Sequence, residues 1–256
     1  MSVADLGWPI ILLALAGAAL AGFINTLAGN GSAITLTILT EAMGLPPLIA
    51  NGTNRIGTLA QSSTAFLEYW RNDKIDWRRG AILLIPVGLG GILGGLVATQ
   101  VSNDEFRLIF RWLLVLLLVV VLIKPKRWLS KEASEPQWPQ WLLITAGLAA
   151  GFYGGFIQMG FGPLLLGVAV LGGGMSLAEA NVYKIVVVML YTPILLVAFV
   201  AAGQVHWQYG LLMAVGQAVG AFFTTRFAVR SPKVNQVAYV VLVVVVVLAC
   251  AKVLLT

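Results

Sequence analysis

The chain has 256 residues, of which 59% are hydrophobic and 10% charged, and its mean hydropathy is +0.93. A water-soluble domain carries about a quarter charged residues, so this composition excludes one and places the chain among integral membrane proteins. The formal charge of +6 does not point to nucleic acid: the cations sit in short loops between apolar runs, where they orient a membrane protein, and no basic stretch interleaves aromatics.

The first apolar run, 8–27, is expected to be a retained membrane helix. Asp5 is the only charge ahead of it, and no small-residue cleavage site is followed by a polar start. A glycine-rich break, "LAGNGS" at 27–32, leads into a short apolar piece, Ser32–Met43. At about 1.5 Å per helical residue such a piece reaches only half way through the hydrocarbon. The next span, 48–69, holds Arg55 inside "ANGTNRIGTLA", and the one after it, 80–100, holds "GLGGILGG", read as close helix packing. A further span at 107–123 is followed by the polar segment 124–139.

The order then recurs. A span at 140–158 ends in the break "IQMGFGP", and a short piece, Pro163–Leu171, precedes spans at 178–202, 208–228 and 235–255. The only cysteine, Cys250, lies in the last of these and reads as a spectator; the only histidine, His206, reads as a solvated loop residue. Tryptophans such as Trp8, Trp70, Trp77, Trp128, Trp138, Trp141 and Trp207 flank spans, as interface anchors do.

The two halves align at an offset of 129–130. "AGFINTLAGNGSAI" at 21–34 lies over "AGFYGGFIQMGFGP" at 150–163, and "IDWRRG" at 75–80 over "VHWQYG" at 205–210. "IANGTNRI" at 49–56 lies over "EANVYKI" at 179–185, pairing Asn51 with Asn181 and Arg55 with Lys184; Ser102 and Ser231 open the last helix of each half. The domains are therefore a first transmembrane repeat (1–123), a linker (124–139) and a second repeat (140–256).

Two arrangements are open. If each break and short helix forms a hairpin that leaves on the side it entered, the halves are inverted. Arg71, Lys74, Arg78, Arg79, Lys124, Lys126, Arg127, Lys131, Arg226, Arg230 and Lys233 then share one side, eleven against three. If each break only interrupts a crossing helix, the halves are parallel and the count is nine against five. The positive-inside rule favours the first. The expected fold is an all-α polytopic membrane protein of two inverted repeats, each of about five helical segments, with short broken or re-entrant helices at 32–43 and 163–171. Loops 70–79, 124–139 and 226–233 are then cytoplasmic and both termini face outward.

Arg55 and Lys184 lie inside hydrophobic stretches, where an unpaired charge costs roughly 2.5–3.5 kcal/mol or more. Snorkelling to an interface is one reading of them; lining a substrate cavity is the other. No Asp or Glu stands at mid-span to neutralise them, so a cavity reading calls for an anion. Asn51, Thr53, Asn54 and Asn181 would add hydrogen bonds. The backbone around Gly29, Asn30, Gly31 and Ser32, and around Gly160 and Gly162, would offer free N–H groups at the starts of the short helices, with Ser32 as a cap.

The repeated "AGF…G.G" elements, the "AN…R/K" segments, the short second helix and the basic linker resemble the TauE/SafE family of sulfite exporters, once called domain of unknown function 81. The likeness covers nearly the whole chain. The first element here reads "GNGSA" where the family has a glycine-richer GxGGG, and the second reads "GFGP". The resemblance implies a prokaryotic inner-membrane permease that exports sulfite or a small organosulfur anion such as sulfoacetate. The expectation is thus a secondary transporter, not an enzyme. Its partners are a small anion and the lipid bilayer, with no nucleic acid, metal or cofactor. A cation- or proton-coupled carrier of another solute and a non-transporting membrane subunit are the alternatives.

Overall fold

The computed structural model describes residues 6–102 and 134–231, together with Glu105 and scattered positions between 233 and 244. The span expected at 107–123, most of that at 235–255, most of the linker, Trp128 and Cys250 lie outside the described residues. The described elements are helical throughout: α1 (Trp8–Leu27), α2 (Ser32–Thr37, continued by a π-helical turn Ile38–Ala42), α3 (Pro47–Arg71), α4 (Trp77–Ala98), α5 (Gln140–Ile157), α6 (Phe161–Gly167, continued by Val168–Gly172), α7 (Leu177–Ala201) and α8 (Trp207–Arg230). α1, α4, α5, α7 and α8 are each long and apolar enough to cross a membrane. The short pieces fall where the half-length runs were expected, although α6 starts at Phe161, two residues early.

Local chemistry accounts for the helix starts. Pro47 stands in the first turn of α3, where its missing N–H costs nothing. Asp76 accepts from the N–H groups of Arg78 and Arg79 to open α4, and Ser176 and Glu179 form a capping box on α7. His206 is a correction: its ring is half-buried, stacks on Tyr209 at 3.9 Å, and accepts from the Tyr209 N–H to cap α8. The Ser102 N–H and hydroxyl both donate to a Glu105 carboxylate oxygen at 2.8 Å.

Contacts between the helices give their directions. α3 starts beside the 202–206 loop, where Thr53 Oγ1 accepts from the His206 N–H at 2.9 Å, and ends beside the C-terminus of α8, where Arg226 meets Glu68. α7 starts beside the 72–76 loop, where Arg79 meets Glu179 at 3.0 Å and Tyr183 donates to the Asp76 carbonyl, and runs alongside α4. α3 and α7, which correspond in sequence, thus point opposite ways. Among the described residues every lysine and arginine except Arg55 and Lys184 belongs to the 72–76 end. The exposed tryptophans Trp8, Trp70, Trp77, Trp141 and Trp207 mark helix ends, while Trp138 instead covers Gly172.

Glycine brings backbones together where side chains would not fit. A Cβ on Gly22 or Gly220 would strike the backbone of the facing α8 or α1, and one on Gly151, Gly155 or Gly94 would strike that of the facing α4 or α5. Because lipid tails are as apolar as leucine, this close packing is what holds membrane helices together. The contact of Gly22 with Gln217 and that of Gly151 with Val87 are the same contact, displaced by 129–130 residues.

Valine at Gly22 or Gly151 is predicted to cost about 1–3 kcal/mol by overpacking. Thermal unfolding of the detergent-solubilised protein should show both transitions lowered. Gly88→Ala, whose Cβ would meet only Val187 at an ordinary 3.8 Å, should leave the transition in place.

Candidate functional site

α1 and α5 stop inside the protein, and their ends meet. Gly29 (φ 80°) and Gly160 (φ 81°) turn the chain in the left-handed region that glycine enters without strain. The Gly162 N–H donates to the Gly29 carbonyl at 3.2 Å, and a Cβ on either glycine would fall inside the other residue. Two helix C-termini therefore lie at the centre with carbonyls that no following turn can satisfy.

The donors come from the opposite half. Lys184 on α7 donates to the carbonyls of Asn25 (2.7 Å) and Thr26 (3.2 Å), at the end of α1. Arg55 on α3 donates to the carbonyl of Gly155, and Asn51 donates to that of Phe156 at 3.0 Å, at the end of α5. Positive charge at a helix C-terminus also meets the negative end of the helix dipole. Arg55 is fully buried with its guanidinium 5.1 Å from the centroid of the Phe199 ring, and Lys184 is 3% exposed, so neither snorkels to an interface. What partners the two cations is backbone carbonyl rather than carboxylate, so their charge is solvated but not cancelled.

Gly29, Ser32 and Lys184 line a small central cavity of about 20 Å³, room for about one water. The other expected residues do not line it. Asn181 accepts from Lys184 at 2.6 Å and donates to the Leu177 carbonyl. Asn54 donates to Gln158 Oε1 at 2.7 Å and accepts from Gln217 Nε2 at 3.1 Å. Thr53 lies at the 202–206 loop, and Gly31 packs on the Ala21 carbonyl. Asn30 is buried with its amide unpaired. Gly160 and Gly162 shape the second break. Ser32 is not a cap: Gly31 holds that position, and the Ser32 hydroxyl has no partner.

Asn25, Thr58, Gln61, Gln158 and Tyr191 complete the polar lining. The Ser32, Thr58 and Tyr191 hydroxyls and Gln158 Nε2 are all buried without a partner, and no carboxylate lines the cavity. These residues escaped the sequence reading, although Asn54, Thr58 and Gln61 recur at helical spacing and mark one polar face of α3. Gln158 gave no such signal. It is a non-glycine residue at φ 63°, and only the folded break reveals it.

Access to the centre is uneven. At the 72–76 end a vestibule of about 310 Å³, lined by Tyr69, Lys74, Glu179 and others, reaches Thr26 and Asn181, two of the residues that hold Lys184. At the 202–206 end the described residues pack closely at the corresponding positions. Gly52 abuts the Gln204 carbonyl and Phe199, and Gln204 Nε2 donates to the Thr99 carbonyl at 3.1 Å.

The family model described as Sulfite exporter TauE/SafE matches residues 13–251. Relatives include the probable membrane transporter protein ORF9 of a Sinorhizobium species, 29% identical over 88% of this chain and 85% of that protein. A probable membrane transporter protein of Haemophilus influenzae is 27% identical over 85% and 84% of the two chains. The probable membrane transporter protein YfcA of Escherichia coli K12 is 27% identical over 82% and 77%.

Lys184→Met should destabilise the protein by roughly 1–3 kcal/mol for each carbonyl it strands. Arg55→Leu should do the same at α5, and Arg55→Lys should lose less. The measurement is again thermal unfolding in detergent. Unchanged transitions in both Lys184→Met and Arg55→Leu would show that neither cation caps a helix.

Proposed function

The chain belongs to the sulfite exporter TauE/SafE family, and from that premise we propose that it moves a small sulfur oxyanion or organosulfonate across the inner membrane of a prokaryote by alternating access. That it is a multi-pass membrane transporter follows from the family, the named relatives and its five long apolar helices. The observation that carries the finer reading is the small central cavity, walled by a lysine, unpartnered hydroxyls and a free amide, with no acid. Buried polar atoms without partners are rare, and a ligand rich in acceptors would satisfy them. An anion there would also meet Lys184 in a water-poor setting, where its charge acts more strongly than in bulk.

In this reading the halves are inverted repeats and substrate sits at their junction, an arrangement common to secondary transporters. The opposite directions of α3 and α7, and the crossed pairing of Arg55 and Lys184 with α5 and α1, support it. The 72–76 end carries the exposed cations and is cytoplasmic, so the vestibule opens inward and the Gln204–Thr99 contact closes the outer route. Release or entry from inside requires Lys184 to part from the Thr26 carbonyl and from Asn181. The outward-open state requires the mirror movement around Arg55, Gly52 and Gln204.

Proteoliposomes containing the purified protein should release sulfite or sulfoacetate at a rate that saturates with anion concentration. Replacing two unpartnered hydroxyls, Ser32→Ala with Thr58→Val, should raise KM about tenfold, the loss of one to two hydrogen bonds to a charged ligand. A double variant with wild-type KM, or a wild type that moves no anion, sinks the reading. For orientation, Cys250 is first replaced by alanine. A cysteine at Gln204 should then react with an impermeant maleimide on intact cells, and one at Lys74 only after permeabilisation.

A further inference from the structure

We propose that Gln158 is the residue that reads the ligand, and that Asn54 and Gln217 set it to read a hydrogen-bond acceptor; this rests on the central cavity being the anion site. The three side-chain amides form one buried chain. Gln217 Nε2 on α8 donates to Asn54 Oδ1 at 3.1 Å, and Asn54 Nδ2 on α3 donates to Gln158 Oε1 at 2.7 Å. Gln158 Nε2 is the free end, without a partner, in a residue only 5% exposed that lines the cavity.

An amide has one accepting side and one donating side, so each link fixes the next. With Gln217 donating, Asn54 must turn its oxygen to α8 and its nitrogen to the break. Gln158 must then receive on its oxygen and present two N–H bonds to the ligand. The other unpartnered groups of the lining, the Ser32, Thr58 and Tyr191 hydroxyls, donate or accept as their protons rotate. They adapt to any polar ligand. Lys184 is a donor too, but it already has three acceptors, Asn25 O, Thr26 O and Asn181 Oδ1. Gln158 is therefore the lining side chain whose free end is buried, unpartnered and able only to donate; Gln61, whose Oε1 accepts from Asn25 Nδ2 at 3.2 Å, turns the same kind of end to the cavity, and both call for an acceptor lone pair on the ligand.

The fold holds this residue in place at some expense. Gln158 sits at φ 63°, a region that non-glycine residues enter only when their surroundings insist, and its sequence counterparts in the first half are Ala28 and Gly29. The Gln217 amide fits because its neighbour on α3 is Gly57: a Cβ there would overlap Gln217 Nε2. Neither Gln217 nor Asn54 lines the cavity, so both are positioning residues.

Gln158→Glu supplies the test. The carboxyl still accepts from Asn54, but its free oxygen donates when protonated and repels an anion when ionised. The ratio of variant to wild-type KM for sulfite in proteoliposomes should stay within a fewfold at pH 5 and climb at least tenfold by pH 8. Lys184 and Tyr191 on α7, Arg55 on α3 and Tyr153 on α5 are the titratable groups around the position; they are present in both proteins, and a pH-dependent ratio reports the new carboxyl together with its coupling to them. Gln158→Met, which cannot ionise, should raise KM by a factor that does not change with pH. Gln217→Met, remote from the ligand, frees Asn54 to turn either way and should raise KM about two- to tenfold with the maximal rate kept. A pH-independent ratio for Gln158→Glu overturns the inference while leaving the anion reading intact. So does a wild-type KM in Gln217→Met, which decides the matter should Gln158→Glu fail to fold. Absence of flux in the wild type overturns both.

Discussion

Two helices end in the middle of a membrane protein, and everything near the centre follows from that. A helix terminus leaves carbonyls without partners, and hydrocarbon offers no water to satisfy them. Here each terminus is satisfied from the other half: Lys184 serves α1, and Arg55 with Asn51 serves α5. The two cations are tolerated in an apolar setting because they face the negative ends of two helices. The two helix ends are tolerated because the cations reach them. Neither half supplies these donors to its own break.

The same crossing explains the distribution of glycine. For a side chain on α7 to reach the end of α1, and one on α3 the end of α5, the halves must interpenetrate closely. Gly29 and Gly162 let the breaks touch backbone to backbone, while Gly22, Gly220, Gly151 and Gly155 let the supporting helices lie against one another. Such packing is rigid within each helix pair and has few strong polar links between pairs. Those links gather at the centre and at the two loops, which is where an alternating movement would break and remake them.

The halves are alike in frame and unlike in detail, and the differences fall along the route to the cavity. Lys184 makes three hydrogen bonds and lines the cavity, whereas Arg55 leaves Nε and Nη1 unpaired and packs on Phe199. Asn51 caps a carbonyl of α5, whereas its counterpart Asn181 turns to Lys184. One end holds a vestibule, and at the other Gln204 bonds the Thr99 carbonyl.

The membrane class, the helix order, the two half-length pieces and the pairing of Arg55 with Lys184 were legible in the chain alone, because each is written in local periodicity, in hydropathy or in a repeat offset of 129–130. The placement of glycine at the breaks was legible for the same reason, since a left-handed turn needs it at that point in the chain. What contacts Arg55 and Lys184 was not. Their partners are main-chain carbonyls 100 and 159 residues away, and a carbonyl is present at every residue and leaves no mark in sequence. The lining was hidden for a related reason: Gln158 and Tyr191 are unremarkable letters until the packing of two halves removes their water and leaves their polar atoms without partners. Sequence determined which segments cross and where they break; only the tertiary structure decided which polar groups the breaks consume and which they leave free for a ligand.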